Sequence, residues 1–223
     1  RRQRHWIEPP LVPFLAGQQV GHPLLGSKLT LADPPGSHVF TVLLDTNRPR
    51  YLADHKIEMA EVFPAAGYFE MALSAARLLG VEGGVEIRHV TFEKPLILAD
   101  SQPVEVQTHF VACESSEWRF TIYSRILGSD RKQDWTCHVS GEIHSLLSTN
   151  TLSPVSLADV QASCPYLRDG KDFYSERLSQ GNEWGSTFQG IQQVWRGEGE
   201  VLAEIVTPEG ILSELKNYQA HPA

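Results

Sequence analysis

One segment limits what this chain can fold into more than any other. From Ala65 to Leu79, Phe69, Leu73, Ala76 and Leu79 recur at spacings of four, three and three, which predicts a helix with one apolar stripe. Ala66, Ala72, Ala75 and Ala76 keep it slim enough to be gripped closely by a sheet, and Gly80 stops it. Its surroundings are strand-like. His38 to Asp45 is rich in Val, Phe, Thr and Leu, and Val85 to Leu98 alternates in part, with Pro95 marking an edge or a bulge. Val104–Val111 and Trp118–Ile126 read as a hairpin around Glu114-Ser115-Ser116, and Gln133–His144 as a strand with Trp135, Cys137 and Val139 on one face. One long helix among antiparallel strands gives an α+β fold, with the helix packed on the sheet.

Turn and composition signals divide the rest. Residues 1–20 are proline-rich and without periodicity, and read as a linker. Asp33-Pro34-Pro35-Gly36 is a turn, and Asn47-Arg48-Pro49 breaks the strand before it. Residues 148–165, low in charge and rich in Ser, Thr and Pro, read as a second linker between one unit at 21–147 and another at 166–223. In that second unit Asp172–Gln180 reads as a helix, Thr187–Trp195 and Glu200–Val206 as strands turned by Gly197-Glu198-Gly199, and Glu209–Asn217 as a short helix.

Composition excludes several classes. The chain of 223 residues is 41% hydrophobic and 21% charged, which fits a cored protein. A net charge of -8 argues against a nucleic-acid surface, despite the basic start Arg1-Arg2-Gln3-Arg4. No apolar run approaches the roughly 20 residues that span a bilayer, so no membrane partner is expected. Cys113, Cys137 and Cys164 are odd in number and lack metal-ligand spacing, which points to a reducing, cytoplasmic setting.

The chemistry concentrates just before the helix. The stretch His55-Lys56-Ile57-Glu58-Met59-Ala60-Glu61-Val62-Phe63-Pro64 places a histidine in a loop, closes it with proline, and opens a helix N-terminus behind it. An imidazole beside the unpaired N–H groups of a helix N-terminus can take a proton alpha to a thioester carbonyl while those donors hold the oxyanion. A surface histidine before an ordinary helix is the alternative. Asp54 is not expected to act with His55, because neighbours on a strand point to opposite faces. Glu58 and Glu61 receive no role. His89, His109, His138 and His144 lie in strand-like runs and read as structural.

The spacing of the loop resembles the His-x-x-x-Gly-x-x-x-x-Pro signature of dehydratase domains of modular polyketide synthases and animal-type fatty acid synthases, with Met59 where the family has glycine. His22-Pro23-Leu24-Leu25-Gly26, Tyr51-Leu52-Ala53-Asp54-His55, Pro64-Ala65-Ala66-Gly67-Tyr68 and Glu70-Met71-Ala72 continue the likeness. So do Phe173-Tyr174-Ser175-Glu176-Arg177-Leu178 and Gly185-Ser186-Thr187-Phe188-Gln189-Gly190. Trp184 and Ser186 stand where the family has tyrosine and proline.

The resemblance implies a hotdog fold, an antiparallel sheet wrapped around a central helix, complete in the N-terminal unit and incomplete in the C-terminal one. It implies dehydration of 3-hydroxyacyl groups to trans-2-enoyl thioesters. His55 would be the base, and Met59, Pro64, Ala65, Tyr68, Trp184 and Phe188 would be substrate contacts in a tunnel beside the helix. It further implies no metal or organic cofactor, since the substrate rides on the phosphopantetheine of an acyl carrier protein. Neighbouring synthase domains are expected partners, and a homodimer is left open. The acid would be an aspartate in a motif that follows "HPA"; this sequence ends His221-Pro222-Ala223, so the chain is expected to be a piece of a larger enzyme, inactive alone. Met59, Trp184 and Ser186 support an alternative, a degenerate module that binds without turnover. A hotdog thioesterase would need a carboxylate on the helix, where Glu70 is the only acidic residue.

Overall fold

A computed structural model describes residues 17–32, 35–99, 102–113, 117–127, 135–146 and 154–223. Most of the expected first linker, Glu114-Ser115-Ser116, and the start of the second linker lie outside these residues. The first unit opens with β1 (Gln18–Gln19), β2 (Ser27–Leu29) and β3 (Ser37–Leu44). A 3₁₀ turn at Arg50–Asp54 leads into the short hairpin β4 (His55–Ile57) and β5 (Ala60–Glu61), and then into helix α1 (Ala65–Leu78). The long strands β6 (Gly84–Phe92), β7 (Val104–Ala112), β8 (Glu117–Ile126) and β9 (Thr136–Leu146) follow. They complete a seven-stranded antiparallel sheet ordered β1-β2-β3-β7-β8-β9-β6.

Alternation puts one face of this sheet against α1. Phe40, Val42 and Leu44 of β3 point inward with Val104, Val106 and Phe110 of β7, Phe120 and Ile122 of β8, and Val139 and Ile143 of β9. From the helix, Tyr68, Met71, Ala72, Ala75 and Ala76 enter the same core. The sheet around a central helix is the hotdog fold that the resemblance implies. The buried stripe is not the one the spacing suggests. Phe69 and Leu73 are only partly buried, while Glu70 and Ser74 are buried. A helix enclosed on most sides buries nearly its whole middle, so a search for one stripe finds the wrong edge.

The second half begins with α2 (Leu157–Ser163), a helix inside the stretch expected to be linker, capped by the Ser156 side chain accepting from Asp159 N. β10 (Tyr166–Asp169) precedes α3 (Gly170–Ser179); β11 (Asn182–Trp184), β12 (Ile191–Arg196) and β13 (Val201–Ile205) follow. β10, β12 and β13 make a three-stranded sheet, and β11 joins the β4–β5 hairpin of the first half. The strand expected from Thr187 instead starts at Ile191, after a 3₁₀ turn at Ser186–Phe188, and the expected helix at 209–217 is two 3₁₀ turns. α3 buries only Gly170, so among the described residues no helix is enclosed by the second sheet. Nor is any helix among them long and apolar enough to cross a membrane.

Candidate active site

The His55 loop is a tight hairpin. Glu58 and Met59 occupy its turn with φ of 49° and 65°, the left-handed region where two-residue hairpin turns favour glycine. This accounts for the family's glycine at position 59. Met59 is 80% exposed, outside the His55 cavity, and its backbone N donates to Glu183 Oε1 at 3.1 Å. Met59, expected among the substrate contacts, does not line the His55 cavity, and turn conformation accounts for the residue type the position favours.

β4 presents the His55 ring between two groups of side chains. His55 Nδ1 lies 2.7 Å from the Val62 carbonyl oxygen. A carbonyl only accepts, so Nδ1 carries the hydrogen and Nε2 keeps the lone pair. On one side His55 lines a cavity of about 400 Å³ with Ile57, Val62, Phe63, Ala65, Tyr68 and Phe92 to Pro95. On the other, the Trp184 ring stacks on it at 6.2 Å and 18°, and the Phe188 ring lies 5.0 Å away. Burial pushes the imidazole below its ordinary pKa, and the Val62 carbonyl works against that shift. The result favours the neutral ring.

α1 starts in this cavity. Pro64 is its N-cap, no side chain caps its first turn, and no acidic residue lies there. Gly67 N is already taken by Pro64 O at 2.9 Å, which leaves the N–H groups of exposed Ala65 and Ala66 at the open end of the helix, and Ala65 lines the cavity with His55. Of the expected substrate contacts, Ala65 and Tyr68 line the His55 cavity. Trp184 and Phe188 line a separate cavity of about 340 Å³ with Tyr174, Ile211 and His221. Pro64 is buried and lines neither. The small residues Ala72, Ala75 and Ala76, expected to border a tunnel, are sealed in the core.

Sequence reasoning missed several contributors. Phe92, Glu93, Lys94 and Pro95 close the cavity from the end of β6, and only their place in the sheet brings them there. Asp54 accepts from the second half, as described below. Glu70 is fully buried and bonded to His22 Nε2, Ser74 Oγ, Gln219 N and Ala220 N at 2.9, 2.7, 2.9 and 2.6 Å. It is sealed away from the cavity, so the carboxylate on the helix that a thioesterase would need is committed to structure.

Antiparallel sheet, enclosed helix and a loop histidine that shares a cavity with the start of that helix together define a hotdog-fold domain with a candidate acid–base site. Comparison with known proteins narrows the class. Residues 22–125 match the polyketide synthase dehydratase domain and residues 152–223 the polyketide synthase dehydratase N-terminal domain. The chain belongs to the polyketide synthase dehydratase family. It is 29% identical over 235 residues to the spectinabilin polyketide synthase system protein NorA' of Streptomyces orinoci, covering 100% of this chain and 6% of that protein. The dehydratase domain from the CurF module of curacin polyketide synthase superposes with a TM-score of 0.84 at 32% identity, over 90% of this chain and 71% of that one. For the CurK dehydratase the values are 0.83, 35%, 90% and 70%. CurK has also been solved as two inactive variants, one with aspartate changed to asparagine and one with histidine changed to phenylalanine. The chain thus spans a small part of the curated synthase and about seven-tenths of the solved domains.

Proposed function

We propose that this stretch supplies the base half of a 3-hydroxyacyl thioester dehydratase within a polyketide synthase. One observation carries the reading: the His55 Nδ1–H is held by Val62 O, which leaves Nε2 as the acceptor in a cavity shared with the open first turn of α1. His55 Nε2 takes the alpha proton, and the electron pair moves onto the thioester oxygen. The N–H groups of Ala65 and Ala66 hold the resulting oxyanion, with the positive helix end adding to their effect. An acid then protonates the beta hydroxyl, which leaves as water while the enolate collapses to the trans-2-enoyl thioester. Among the described residues Glu93 is the only carboxylate lining this cavity, and it sits at the exposed end of β6. The inactive aspartate and histidine variants of CurK favour a histidine base working with an aspartate acid.

The scheme asks for a base, oxyanion donors and an acid, so it uses no metal or organic cofactor. The acyl group arrives on the phosphopantetheine of an acyl carrier protein, with Ala65 and Tyr68 as contacts near the reacting carbons, in a cytoplasmic synthase. The non-catalytic alternative loses one of its motives, since Met59 points away from the cavity. The test is the complete dehydratase domain carrying His55→Ala, assayed with 3-hydroxyacyl carrier protein for the enoyl chromophore. Loss of about 10²–10⁴-fold in rate, with an unchanged circular dichroism spectrum, is expected of a missing general base. Turnover at the parental rate overturns the assignment.

A further inference from the structure

The residue beside the histidine is bonded across the molecule. Asp54 Oδ2 accepts from Thr187 N at 3.0 Å and from Thr187 Oγ1 at 2.9 Å. Its backbone carbonyl accepts from Gly185 N at 2.7 Å. All three donors belong to the segment that carries Trp184 and Phe188. That segment continues along the whole loop: Trp184 pairs with His55, Glu183 with Lys56 and Asn182 with Ile57, and Glu58 N donates to Gly181 O at 2.7 Å. Near the rings the fit is close enough that a Cβ at Gly185 would overlap the Asp54 carboxylate.

We propose that Asp54 is a positioning residue for the dehydratase base: it clasps the Trp184–Phe188 segment onto His55, and that clasp keeps the imidazole covered and correctly oriented. The inference rests on the reading of His55 as the base. Nothing in the motif assigns Asp54 this part. Asp54 ends the 3₁₀ turn that precedes β4, its carboxylate is bonded to Thr187, and it acts through the rings at 184 and 188. The Trp184 indole and Phe188 phenyl rings lie against the imidazole, whose pKa burial holds down. Val62 O fixes Nδ1. The clasp therefore governs how far solvent competes for Nε2.

The chemistry of the clasp makes a sharp test. Both Thr187 donors converge on one oxygen, so an asparagine with its amide oxygen in that place still accepts both, whereas alanine accepts neither. In the complete dehydratase domain, His55 is titrated by NMR, and the nuclear Overhauser contact between its ring and the Trp184 indole is measured in the same samples. For Asp54→Ala the contact weakens and the His55 midpoint rises towards the ordinary histidine value of about 6.5. For Asp54→Asn both stay at the parental values. Thr187→Val, which removes one donor, moves both readouts in the direction of Asp54→Ala and decides the matter should Asp54→Ala not fold. An unchanged midpoint and contact in Asp54→Ala or Thr187→Val overturns the clasp, as does an Asp54→Asn that behaves like Asp54→Ala. These readouts do not depend on turnover. A clasp upheld here beside an active His55→Ala enzyme would refute the base assignment alone.

Discussion

At the scale of single residues, the His55 loop trades backbone comfort for placement. Met59 sits at φ 65° in a turn that suits glycine, and its side chain gains little by being there, since it is 80% exposed. A left-handed conformation costs an L-residue about 1–2 kcal/mol. Met59→Gly relieves that strain but adds backbone freedom to the unfolded chain, worth about 0.5–1 kcal/mol. The net gain expected is up to about 1.5 kcal/mol, or a melting temperature higher by up to about 3–6 °C for a domain of this size. Thermal unfolding by circular dichroism reads it, and a lower melting temperature for Met59→Gly would refute the strain argument. The histidine itself predicts a pH response. Its pKa is depressed by burial, so the neutral base persists below the usual histidine midpoint. The acid limb of kcat/KM in the complete dehydratase domain should accordingly fall below about pH 6.5. A limb centred above that value would mean the ring is solvated or paired with a carboxylate.

At the scale of elements, α1 meets its loop through one glycine. A Cβ at Gly67 would lie 2.6 Å from two ring carbons of Phe63, and Phe63 is a buried core residue that also lines the His55 cavity. Gly67→Ala should cost about 1–3 kcal/mol by overpacking. It should also push Phe63 towards the cavity, lowering activity of the complete domain more than stability alone explains. Urea denaturation paired with kinetics separates the two, and neither should change if the ring simply slides aside. What was legible in the sequence follows the same physics. The helix, the strands β3, β7 and β8, and the loop histidine are local patterns and are read directly. The bulge in β9 is not. Ile122 pairs with Val139 and Tyr123 with Cys137, so His138 is the extra residue and turns inward, where its ring bonds Ser124 Oγ at 2.6 Å and Lys94 O at 2.9 Å. One inserted residue reverses the alternation, which is why Trp135, Cys137 and Val139 do not share a buried face. Asp54 makes no bond to its neighbour His55, as expected, but its bonds to Thr187 were not legible, because they depend on a distant segment that folds onto it.

At the scale of the whole molecule, the two halves share one core and one buried charge. Ile211 is counted in the same apolar cluster as α1 and the large sheet, with Leu215 and Tyr218 packed against it. Tyr218 and His221 meet at 4.5 Å between ring centres, and Tyr51 lies 4.6 Å from His221. Beneath them Glu70 ties α1 to Gln219 and Ala220, some 150 residues along the chain. Desolvation raises the Glu70 pKa, but the bonds from His22, Ala220, Ser74 and Gln219 outweigh it and leave the group below its ordinary value of 4.5. The sign follows from linkage. A carboxyl with a folded pKa below its unfolded one contributes stability that is fully present above the unfolded value and is lost as pH falls through the folded one. Glu70→Gln removes that titration and leaves an amide among donors that need an anion. Breaking a buried charged network of this kind costs about 3–5 kcal/mol. Urea denaturation should therefore show a large gap between parent and Glu70→Gln near neutral pH. The gap should narrow as the parent's own carboxyl protonates below about pH 4.5. Hydrogen exchange gives the location: in Glu70→Gln the Gln219 and Ala220 amides should lose protection before the strands of the large sheet do, since local opening starts where the anchoring bond is lost. A gap independent of pH, or uniform loss of protection, would mean that Glu70 merely fills space. Because Ala65 and Tyr68 of α1 also line the His55 cavity, loosening this latch should reach that cavity through the helix that the two sites share.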